Sequence, residues 1–294
     1  MKPKVTAIIT THNRQELVSR AIESVLNQTY DNLDCIVVDD ASDISAESVC
    51  KKYPVRYVYI PKEESTGGNH ARNIGILASD AKYVAFLDDD DYWEVDKIEK
   101  QVSLIEEKKC ELVYSGARPE IIKNGQVLTA LYTPNYYNQG DMKRKILYGI
   151  CCLNITILAD RQALIDVGLF DENIRFWQEY ELTIRMAQRK PFYFVPEPLA
   201  IYRVDINDKG RLTNNLDKWQ ASVDYIYEKH SKLFSNLNFI EKERVRLNYI
   251  GDAKNRAKNA HLYSKAKYYN FLLNTRYIPI RLLVKIQSLF SHEV

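Results

Sequence analysis

The chain has few cysteines, little net charge and no long apolar run. Its five cysteines form no CxxC pair, which predicts free thiols in a reducing cytosol rather than a disulfide framework. A net charge of +2 argues against a nucleic-acid partner. No segment approaches the roughly 20 apolar residues of a membrane span, and the start of the chain lacks the pattern of a signal peptide. We therefore expect a cytoplasmic globular protein.

Four consecutive aspartates, Asp88 to Asp91, follow the apolar run Tyr83–Leu87. Adjacent carboxylates repel one another, and a bound cation is the usual remedy. Mg²⁺ and Mn²⁺ prefer carboxylate oxygens, and Mg²⁺ commonly binds one or two carboxylates together with substrate phosphates. The run therefore predicts a divalent cation that holds a phosphorylated ligand at the end of a strand. Taken alone, the run also fits a solvated acidic loop.

Strand and helix patterns alternate along the first ninety residues, which predicts a parallel, doubly wound sheet. In such sheets ligands bind beyond the carboxyl ends of the strands. Three predicted strands end in suitable polar residues, at Thr10, at Asp39 and at Asp88. Later in the chain we predict strands at Asn154–Leu158, Phe192–Val195 and Leu199–Tyr202, a hairpin turn at Asn124-Gly125, and helices from about Leu216 to the end. In the first ninety residues the predicted strands are Val5–Thr10, Cys35–Val38, Val55–Ile60 and Tyr83–Leu87, and the predicted helices are Leu17–Leu26, Ser45–Tyr53 and Asn69–Ser79.

Five ordered blocks of the sequence resemble the inverting family 2 glycosyltransferases, which have the GT-A fold and use nucleotide-diphospho-sugars. The blocks are Ile9–Arg14 (ITTHNR), Val37–Ser42 (VVDDAS), Ala71–Gly75 (ARNIG), Phe86–Trp93 (FLDDDDYW) and Trp177–Leu182 (WQEYEL) with Arg185. The resemblance covers roughly residues 4–215. It implies an α/β fold with a Rossmann-like mixed sheet flanked by helices, a catalytic domain at 1–215 and a helical C-terminal region at 216–294.

The resemblance also implies a set of donor-binding residues. Asp40 should accept a hydrogen bond from the imide N–H of a uracil-type base, since a carboxylate is a pure acceptor; turn and cap formation is the alternative for Asp39 and Asp40. Arg72 should lie near the diphosphate or the donor sugar. Asp90 is the expected ligand of Mn²⁺ or Mg²⁺, with Asp88 on the ribose or the metal. The remaining residues implied to bind the nucleotide-sugar are Thr10, Thr11, His12, Asn13, Arg14, Asp39, Asp89 and, in a loop at 207–214, Arg211; Asp205 and Asp208 stand where relatives often carry a metal-binding histidine.

The catalytic base is implied to be Glu179, at the position where the family usually has an aspartate. Here the usual Glu-Asp pair reads Gln178-Glu179. Glu181 is the competing candidate, and ordinary exposed helix acids are the alternative for both. Residues two apart on a helix do not share a face, so only one of the two should point into the cleft.

The resemblance implies a UDP-sugar donor and a glycan or polyprenyl-diphosphate-linked acceptor, in bacterial surface polysaccharide synthesis. From Lys254 onward the chain has eight lysines and arginines and one acid, Glu293. The segment Tyr277–Phe290 is basic and apolar. This pattern fits peripheral contact with the inner face of the plasma membrane, and it fits packing on the catalytic domain equally well. The sequence leaves homo-oligomerisation open.

Two other classes of protein could use a similar motif. A phosphatase of the haloacid dehalogenase type also places Asp-x-Asp after a buried strand, although it would carry the motif earlier and have Thr or Val in place of Tyr92. A non-catalytic sugar-nucleotide or calcium-binding module is the third possibility. The calcium-loop pattern fails because Trp93 occupies the position of its glycine.

Overall fold

The structure, a computed structural model, describes residues 2–123, 126–205 and 215–290. Nine strands and eleven α-helices lie in these ranges. The strands are β1 (Val5–Thr11), β2 (Leu33–Asp40), β3 (Arg56–Ile60), β4 (Tyr83–Asp88), β5 (Tyr92–Trp93), β6 (Leu112–Lys123), β7 (Gln126–Thr129), β8 (Leu158–Asp160) and β9 (Phe192–Asp205). The helices are α1 (Gln15–Leu26), α2 (Glu47–Cys50), α3 (Gly68–Ala78), α4 (Lys97–Lys108), α5 (Arg161–Asp166), α6 (Gln178–Ala187), α7 (Leu216–Lys229), α8 (Ser231–Ser235), α9 (Phe239–Asn259), α10 (Tyr263–Leu273) and α11 (Ile278–Phe290).

The strands form one mixed sheet in the order β3-β2-β1-β4-β8-β6-β9-β5, and β7 pairs with β6. Strands β1 to β4 are parallel, as the alternating pattern predicted. The chain moves outward from β1 through β2 to β3 and then returns to place β4 on the other side of β1. This reversal of strand order creates a crevice between β1 and β4, where doubly wound sheets bind their ligands.

Helices cover both faces of the sheet, and alternate residues of each central strand supply the two cores. Ile8 and Phe86 belong to one hydrophobic cluster, and Ile9 and Leu87 belong to the other. Such near-continuous apolar strands are typical of parallel sheets that are buried on both faces. All five cysteines are free, as the sequence predicted, and all five are buried.

Helix α3 packs unusually close to β1. A Cβ atom on Gly75 would lie 2.4 Å from Cγ2 of Ile8, so glycine is needed for the approach. The helix begins after Gly67, whose φ of 110° is in the region that favours glycine. This placement brings the first turn of α3 to the carboxyl end of the sheet.

Two predictions for the middle of the chain were wrong in detail. Residues Asn154–Thr156 form a 3₁₀ turn, and the strand there is β8, which starts at Leu158. The two short strands expected near residues 192 and 199 are a single strand, β9. Further 3₁₀ turns lie at Tyr136–Asn138 and Lys145–Tyr148. The predicted turn Asn124-Gly125 lies outside the described residues, although β6 and β7 on either side pair antiparallel.

The C-terminal helices continue the core of the sheet domain. Trp219 and Val223 of α7 and Ala253 and Ala257 of α9 belong to the same hydrophobic cluster as Phe86 of β4. Helix α9 begins with a capping box in which Asn238 and Glu241 satisfy each other's backbone N–H groups. The division of the chain at residue 215 stays a prediction. None of the described helices is long and apolar enough to cross a bilayer.

Candidate active site

The ends of β1, β2 and β4 lie side by side, as the sequence predicted. Thr10 is opposite Asp88 across β1 and β4, and Thr11 is opposite Asp39 across β1 and β2. Thr10 and Thr11 are both buried. The polar residues of three sequence blocks therefore meet at one edge of the sheet.

The loops that follow β1 and β2 are bonded to each other. The Asn13 N–H donates to Oγ of Ser42 at 2.7 Å, and the Asp43 N–H donates to Oδ1 of Asn13 at 2.7 Å. The His12 ring nitrogen Nδ1 lies within hydrogen-bond distance of the Asp40 carbonyl oxygen. These contacts hold the two loops in a fixed relative position, and the His12 and Asn13 side chains remain exposed on that edge.

Asp39 and Asp40 have different surroundings. The Asp39 carboxylate accepts hydrogen bonds from the N–H groups of Ser42 (3.0 Å) and Ala46 (2.9 Å) and from the Tyr57 hydroxyl (2.8 Å), so it stabilises the loop after β2. Asp40 is 6% exposed, and its Oδ1 has no hydrogen-bond partner among the described residues. A buried acceptor without a partner is costly, and this oxygen is free to accept a hydrogen bond from a ligand.

Two arginines pair with the first three aspartates of the run. Nη2 of Arg72 lies 2.8 Å from Oδ1 of Asp88, and Arg14 contacts Asp89 at 2.8 Å and Asp90 at 3.0 Å. Asp89 is fully buried; burial raises its pKa to about 7, and the Arg14 guanidinium opposes that rise. The side chains of Asp88 and Asp90 are about one-third exposed, so these two can reach a ligand.

The sequence analysis assigned no individual role to Asp91. Its Oδ1 accepts a hydrogen bond of 2.8 Å from the Arg203 N–H of β9, and its Oδ2 is buried without a hydrogen-bond partner among the described residues. Burial, together with Asp90 and Asp88 beside it, holds the pKa of Asp91 well above its usual range. A buried carboxylate oxygen of this kind would be stabilised by a nearby cation.

The residues present fit a hard divalent cation. In the described part of the chain no three acidic, histidine or cysteine side chains form a complete metal-binding group. Asp88 and Asp90 nevertheless offer exposed carboxylate oxygens, and the unpartnered Oδ2 of Asp91 lies in the same run. Mg²⁺ is commonly bound in this way, by one or two carboxylates with ligand phosphates and water completing the octahedron.

Arg72 is the fifth residue of α3 and is 5% exposed. Besides Asp88, it contacts Oδ1 of Asn69 at 3.4 Å and the ring of Phe170 at 5.8 Å. A Cβ atom on Gly68 would lie 3.3 Å from Nη1 of Arg72. The guanidinium is thus held in one position beside the crevice.

Glu179 and Glu181 point to different surroundings, as helical geometry requires. Glu181 is fully buried and contacts Arg185 (2.6 Å), Lys229 (2.8 Å) and His230 (3.0 Å). Arg185 in turn donates to the carbonyl oxygens of Val167 and Leu169. Glu181 therefore ties α6 to α7 and to the start of α8, and its oxygens are occupied.

Glu179 lines a cavity of about 700 Å³ together with Asp88 and Asp91. Burial raises the pKa of Glu179 above its ordinary value; the nearby Arg72 opposes this rise and Asp88 adds to it. A carboxylate with a raised pKa at the edge of a cavity suits general-base chemistry near neutral pH. The predicted residues on β1, on β2 and on α3 do not line this cavity.

The far side of the cavity consists of residues that the sequence analysis missed. They come from the 3₁₀ turn region before β8, from α9 and from α11, and they include the rings of Tyr137, Tyr148 and Tyr249. The only signal in the sequence was a polar residue at every fourth position of α9, which alone is typical of any amphipathic helix.

Arg211 and Asp208 lie outside the described residues. The backbone of Asp205 ends β9, and its side chain is also outside the described part. Their predicted contacts with the diphosphate or the metal stay predictions.

The fold is that of GT-A glycosyltransferases, as the sequence predicted. The crystal structure of Staphylococcus aureus TarS residues 1–349 in complex with UDP aligns with a TM-score of 0.57 at 15% identity, covering 90% of this chain and 88% of that one. The mannosyltransferase PcManGT from Pyrobaculum calidifontis, in complex with GDP-Man and Mn²⁺, aligns with a TM-score of 0.56 at 16% identity, covering 99% of this chain and 86% of that one.

A family model described as glycosyl transferase family 2 matches residues 6–173. The chain belongs to this family and is a glycosyltransferase.

The chain is also similar to named bacterial glycosyltransferases. TuaG of Bacillus subtilis, named as a teichuronic acid biosynthesis glycosyltransferase, is 28% identical over 241 residues, covering 79% of this chain and 90% of TuaG. The Escherichia coli UDP-Glc:alpha-D-GlcNAc-diphosphoundecaprenol beta-1,3-glucosyltransferase WfaP is 31% identical over 166 residues, covering 56% of this chain and 63% of WfaP. Some relatives are longer, and the chain spans 29% of an uncharacterized glycosyltransferase of Rickettsia bellii.

Proposed function

We propose that the protein transfers a sugar from a UDP-sugar to a hydroxyl group of a lipid-linked glycan, with inversion, in bacterial surface polysaccharide synthesis. The observation that supports this proposal is that the polar edge formed by the strand ends adjoins the cavity, since Asp88 belongs to both. The unpartnered Oδ1 of Asp40 lies at the edge, and Glu179 lies in the cavity beside Asp88. The phosphatase alternative has no use for an acceptor at Asp40, and a binding module has no use for a base in the cavity.

UDP is favoured as the donor nucleotide. A uracil imide N–H can donate to Oδ1 of Asp40, which lies among residues 10–14 and 39–43 at the strand ends. The TarS structure contains UDP and WfaP is named for UDP-Glc, whereas PcManGT contains GDP-Man. Calorimetric titration with UDP and with GDP tests the choice, and tight binding of GDP but not UDP would overturn it.

Asp88 and Asp90 would hold Mn²⁺ or Mg²⁺, and Arg72, which contacts Asp88, would supply a further positive charge for the diphosphate. A bound cation would supply Lewis-acid stabilisation of the departing UDP. Asp90→Ala should abolish metal-dependent UDP binding. Asp31→Ala is a matched control, since the Asp31 side chain is 88% exposed and precedes β2, at the opposite end of that strand from Asp40. Metal-dependent binding that survives Asp90→Ala would contradict this assignment.

Glu179 acts as the general base in this proposal. It takes the proton from the acceptor hydroxyl as that oxygen forms a bond to the anomeric carbon. The bond from the anomeric carbon to the UDP oxygen breaks on the opposite face, so the configuration inverts and UDP leaves with the bonding electron pair. The transition state is oxocarbenium-like. The anomeric configuration of the product, read by NMR, tests inversion.

The exposed side of α11 is proposed to lie on an anionic membrane surface. Ile278, Leu282 and Ile286 are 45%, 55% and 52% exposed and are spaced four residues apart, so they form one stripe. Arg281 and Lys285 lie between them. Apolar residues flanked by basic ones are typical of helices that lie in the interface of anionic lipids.

Flotation with vesicles that contain phosphatidylglycerol tests the membrane contact. Leu282→Glu with Ile286→Glu should abolish binding, whereas Leu77→Glu, at an equally exposed apolar residue of α3, should not. Equal vesicle binding by the wild type, the α11 variant and Leu77→Glu would contradict the membrane contact. If none of the three binds vesicles and the α11 variant disrupts a dimer, the stripe contacts a second copy of the chain instead of lipid.

A screen of UDP-sugar hydrolysis with Mn²⁺ is the broadest test of the proposed function. Cleavage of at least one UDP-sugar, lost in Glu179→Gln, supports it. Release of phosphate from simple esters without sugar-nucleotide cleavage would favour the phosphatase alternative.

A further inference from the structure

Helix α9 directs four polar residues at regular intervals toward the cavity. Arg244, Asn248, Asp252 and Arg256 all line it, because residues four apart share a helix face. Asn248 donates to the Tyr148 carbonyl oxygen at 2.5 Å, and Asp252 accepts from Nε1 of Trp177 at 2.9 Å. The helix therefore forms a wall that runs past the residues immediately before α6.

The two arginines of this wall are not equivalent. Arg256 is paired with Asp252 at 2.9 Å. Arg244 is 6% exposed, and no carboxylate among the described residues forms an ion pair with it. Its guanidinium lies over the rings of Tyr137 (5.4 Å) and Tyr148 (5.2 Å), and it donates to the Tyr137 hydroxyl at 3.0 Å and to Gln287.

Arg244 is also incompletely bonded, since its Nε is buried without a hydrogen-bond partner among the described residues. A buried cation without a counter-ion is strongly disfavoured. The surrounding rings reduce this cost by cation–π contact but do not neutralise the charge. The site is thus arranged to receive an anion from the cavity.

A second cation lies on the same tyrosine. Nζ of Lys145 is 4.8 Å from the centre of the Tyr137 ring, and Lys145 lines the cavity. It donates to the Gln139 carbonyl oxygen at 3.0 Å, and it too has no ion pair among the described residues. Lys145 and Arg244, which share the Tyr137 ring, are here called the basic end of the cavity. Arg256 also lines the cavity, but it is paired with Asp252.

We propose that the basic end, Arg244 with Lys145, binds a diphosphate of the acceptor. This inference rests on the proposed glycosyl transfer and names the acceptor's charged group. Two cations around one ring suit a group that carries more than one negative charge better than a single carboxylate. The planar guanidinium also matches phosphate oxygens in a bidentate manner.

The position along α9 agrees with this role. Arg244 is eight residues from Asp252, which contacts Trp177 next to the helix that carries Glu179. At 1.5 Å of rise per residue, this separation is about 12 Å along the helix axis. The acceptor's diphosphate would thus be held at a distance from the base, which leaves space for the sugar that carries the reacting hydroxyl.

Binding of inorganic pyrophosphate to protein saturated with UDP and Mn²⁺ tests the proposal by calorimetry. We expect saturable binding that Arg244→Gln weakens at least about tenfold, since charge-assisted hydrogen bonds are lost. Arg246→Gln is the matched control, because Arg246 lies on the same helix with its side chain 56% exposed and paired with Glu243; it should bind like the wild type. Lys145→Gln should weaken pyrophosphate binding several-fold. If Arg244→Gln does not fold, Lys145→Gln takes its place in the comparison with Arg246→Gln.

Three results would overturn the assignment: no saturable pyrophosphate binding, equal losses in Arg244→Gln and Arg246→Gln, or glucuronic acid binding as tightly as pyrophosphate. Geranyl diphosphate distinguishes the two sources of the group. Tighter binding than pyrophosphate supports a lipid-linked diphosphate, and equal binding supports a soluble one. UDP binding is measured first, and an absence of UDP binding counts against the proposed function alone. In that case wild type and Arg244→Gln are compared for pyrophosphate binding without UDP.

Discussion

Replacement of Glu181 by glutamine is expected to destabilise the fold without altering the chemistry in the cavity. The carboxylate is fully buried between Arg185, Lys229 and His230. Burial alone would raise its pKa, but the hydrogen bonds from His230 and Arg185 lower it to about 2. Removal of one member of a buried ionic group costs about 3–5 kcal/mol.

This loss predicts a fall in Tm of roughly 6–10 °C, at about 2 °C per kcal/mol for a chain of this size. The pH dependence has a definite sign. Since the folded-state pKa of Glu181 is below its ordinary value of 4.5, its contribution to stability is complete above that value and is lost as the pH falls toward 2.

Thermal unfolding followed by circular dichroism measures both effects. The difference in Tm between wild type and Glu181→Gln should be full near neutral pH and should shrink below about pH 4.5. Glu179→Gln is the matched control and should keep the wild-type Tm. An unchanged Tm in Glu181→Gln, or an equal fall in Glu179→Gln, would refute the assignment of the two acids.

Three further predictions concern the end of β2, the cavity and two helical glycines. Asp40→Asn should weaken UDP binding roughly tenfold in calorimetry, since it replaces a charged acceptor, and unchanged affinity would argue against base recognition by Asp40. Because burial raises the pKa of Glu179, kcat/KM should fall as the pH drops through a value above 4.5, and Glu179→Gln should lack this limb of the profile. Gly75→Ala should lower the free energy of unfolding by about 1–3 kcal/mol, because the added methyl group overpacks against Ile8. Gly251→Ala should instead stabilise α9 by about 0.5–1 kcal/mol, since a Cβ atom there meets nothing within 4 Å. Chemical denaturation measures both changes.

The first half of the fold could be predicted because each of its elements is encoded locally. Strands β1 to β4 are short apolar runs, and the helices between them show a clear period. The polar residues at their ends could be placed together because parallel strands end at the same edge. These rules need no knowledge of distant contacts.

The later strands depend on their partners, and local patterns were insufficient there. The sequence predicted two short strands, Phe192–Val195 and Leu199–Tyr202. Strand β9 continues through the intervening prolines, because Val195 pairs with Ser115 and Pro198 with Gly116, which leaves Pro196 in a β-bulge, where proline is tolerated. The pairing of β6 with β9 changes register on both sides of Gly116.

The cluster of polar residues at the strand ends could be predicted, whereas the far side of the cavity could not. The residues at the ends of β1, β2 and β4 lie within ninety residues of one another, and each follows a strand that is encoded locally. Arg244 reaches the cavity only because Asp252 and Arg256 fix α9 against residues near position 177, and no short motif records that packing. The choice between Glu179 and Glu181 also required the contacts of Lys229 and His230.

Titration of UDP with Mn²⁺ into wild type and Glu179→Gln, with turnover measured on the same samples, tests the central claim most directly. Both proteins should bind UDP with similar affinity in the presence of Mn²⁺ and bind it weakly without the metal. Turnover of the UDP-sugar should fall by about 10²–10⁴-fold in Glu179→Gln. Wild-type turnover in Glu179→Gln, or no binding of UDP to either protein, would contradict the account.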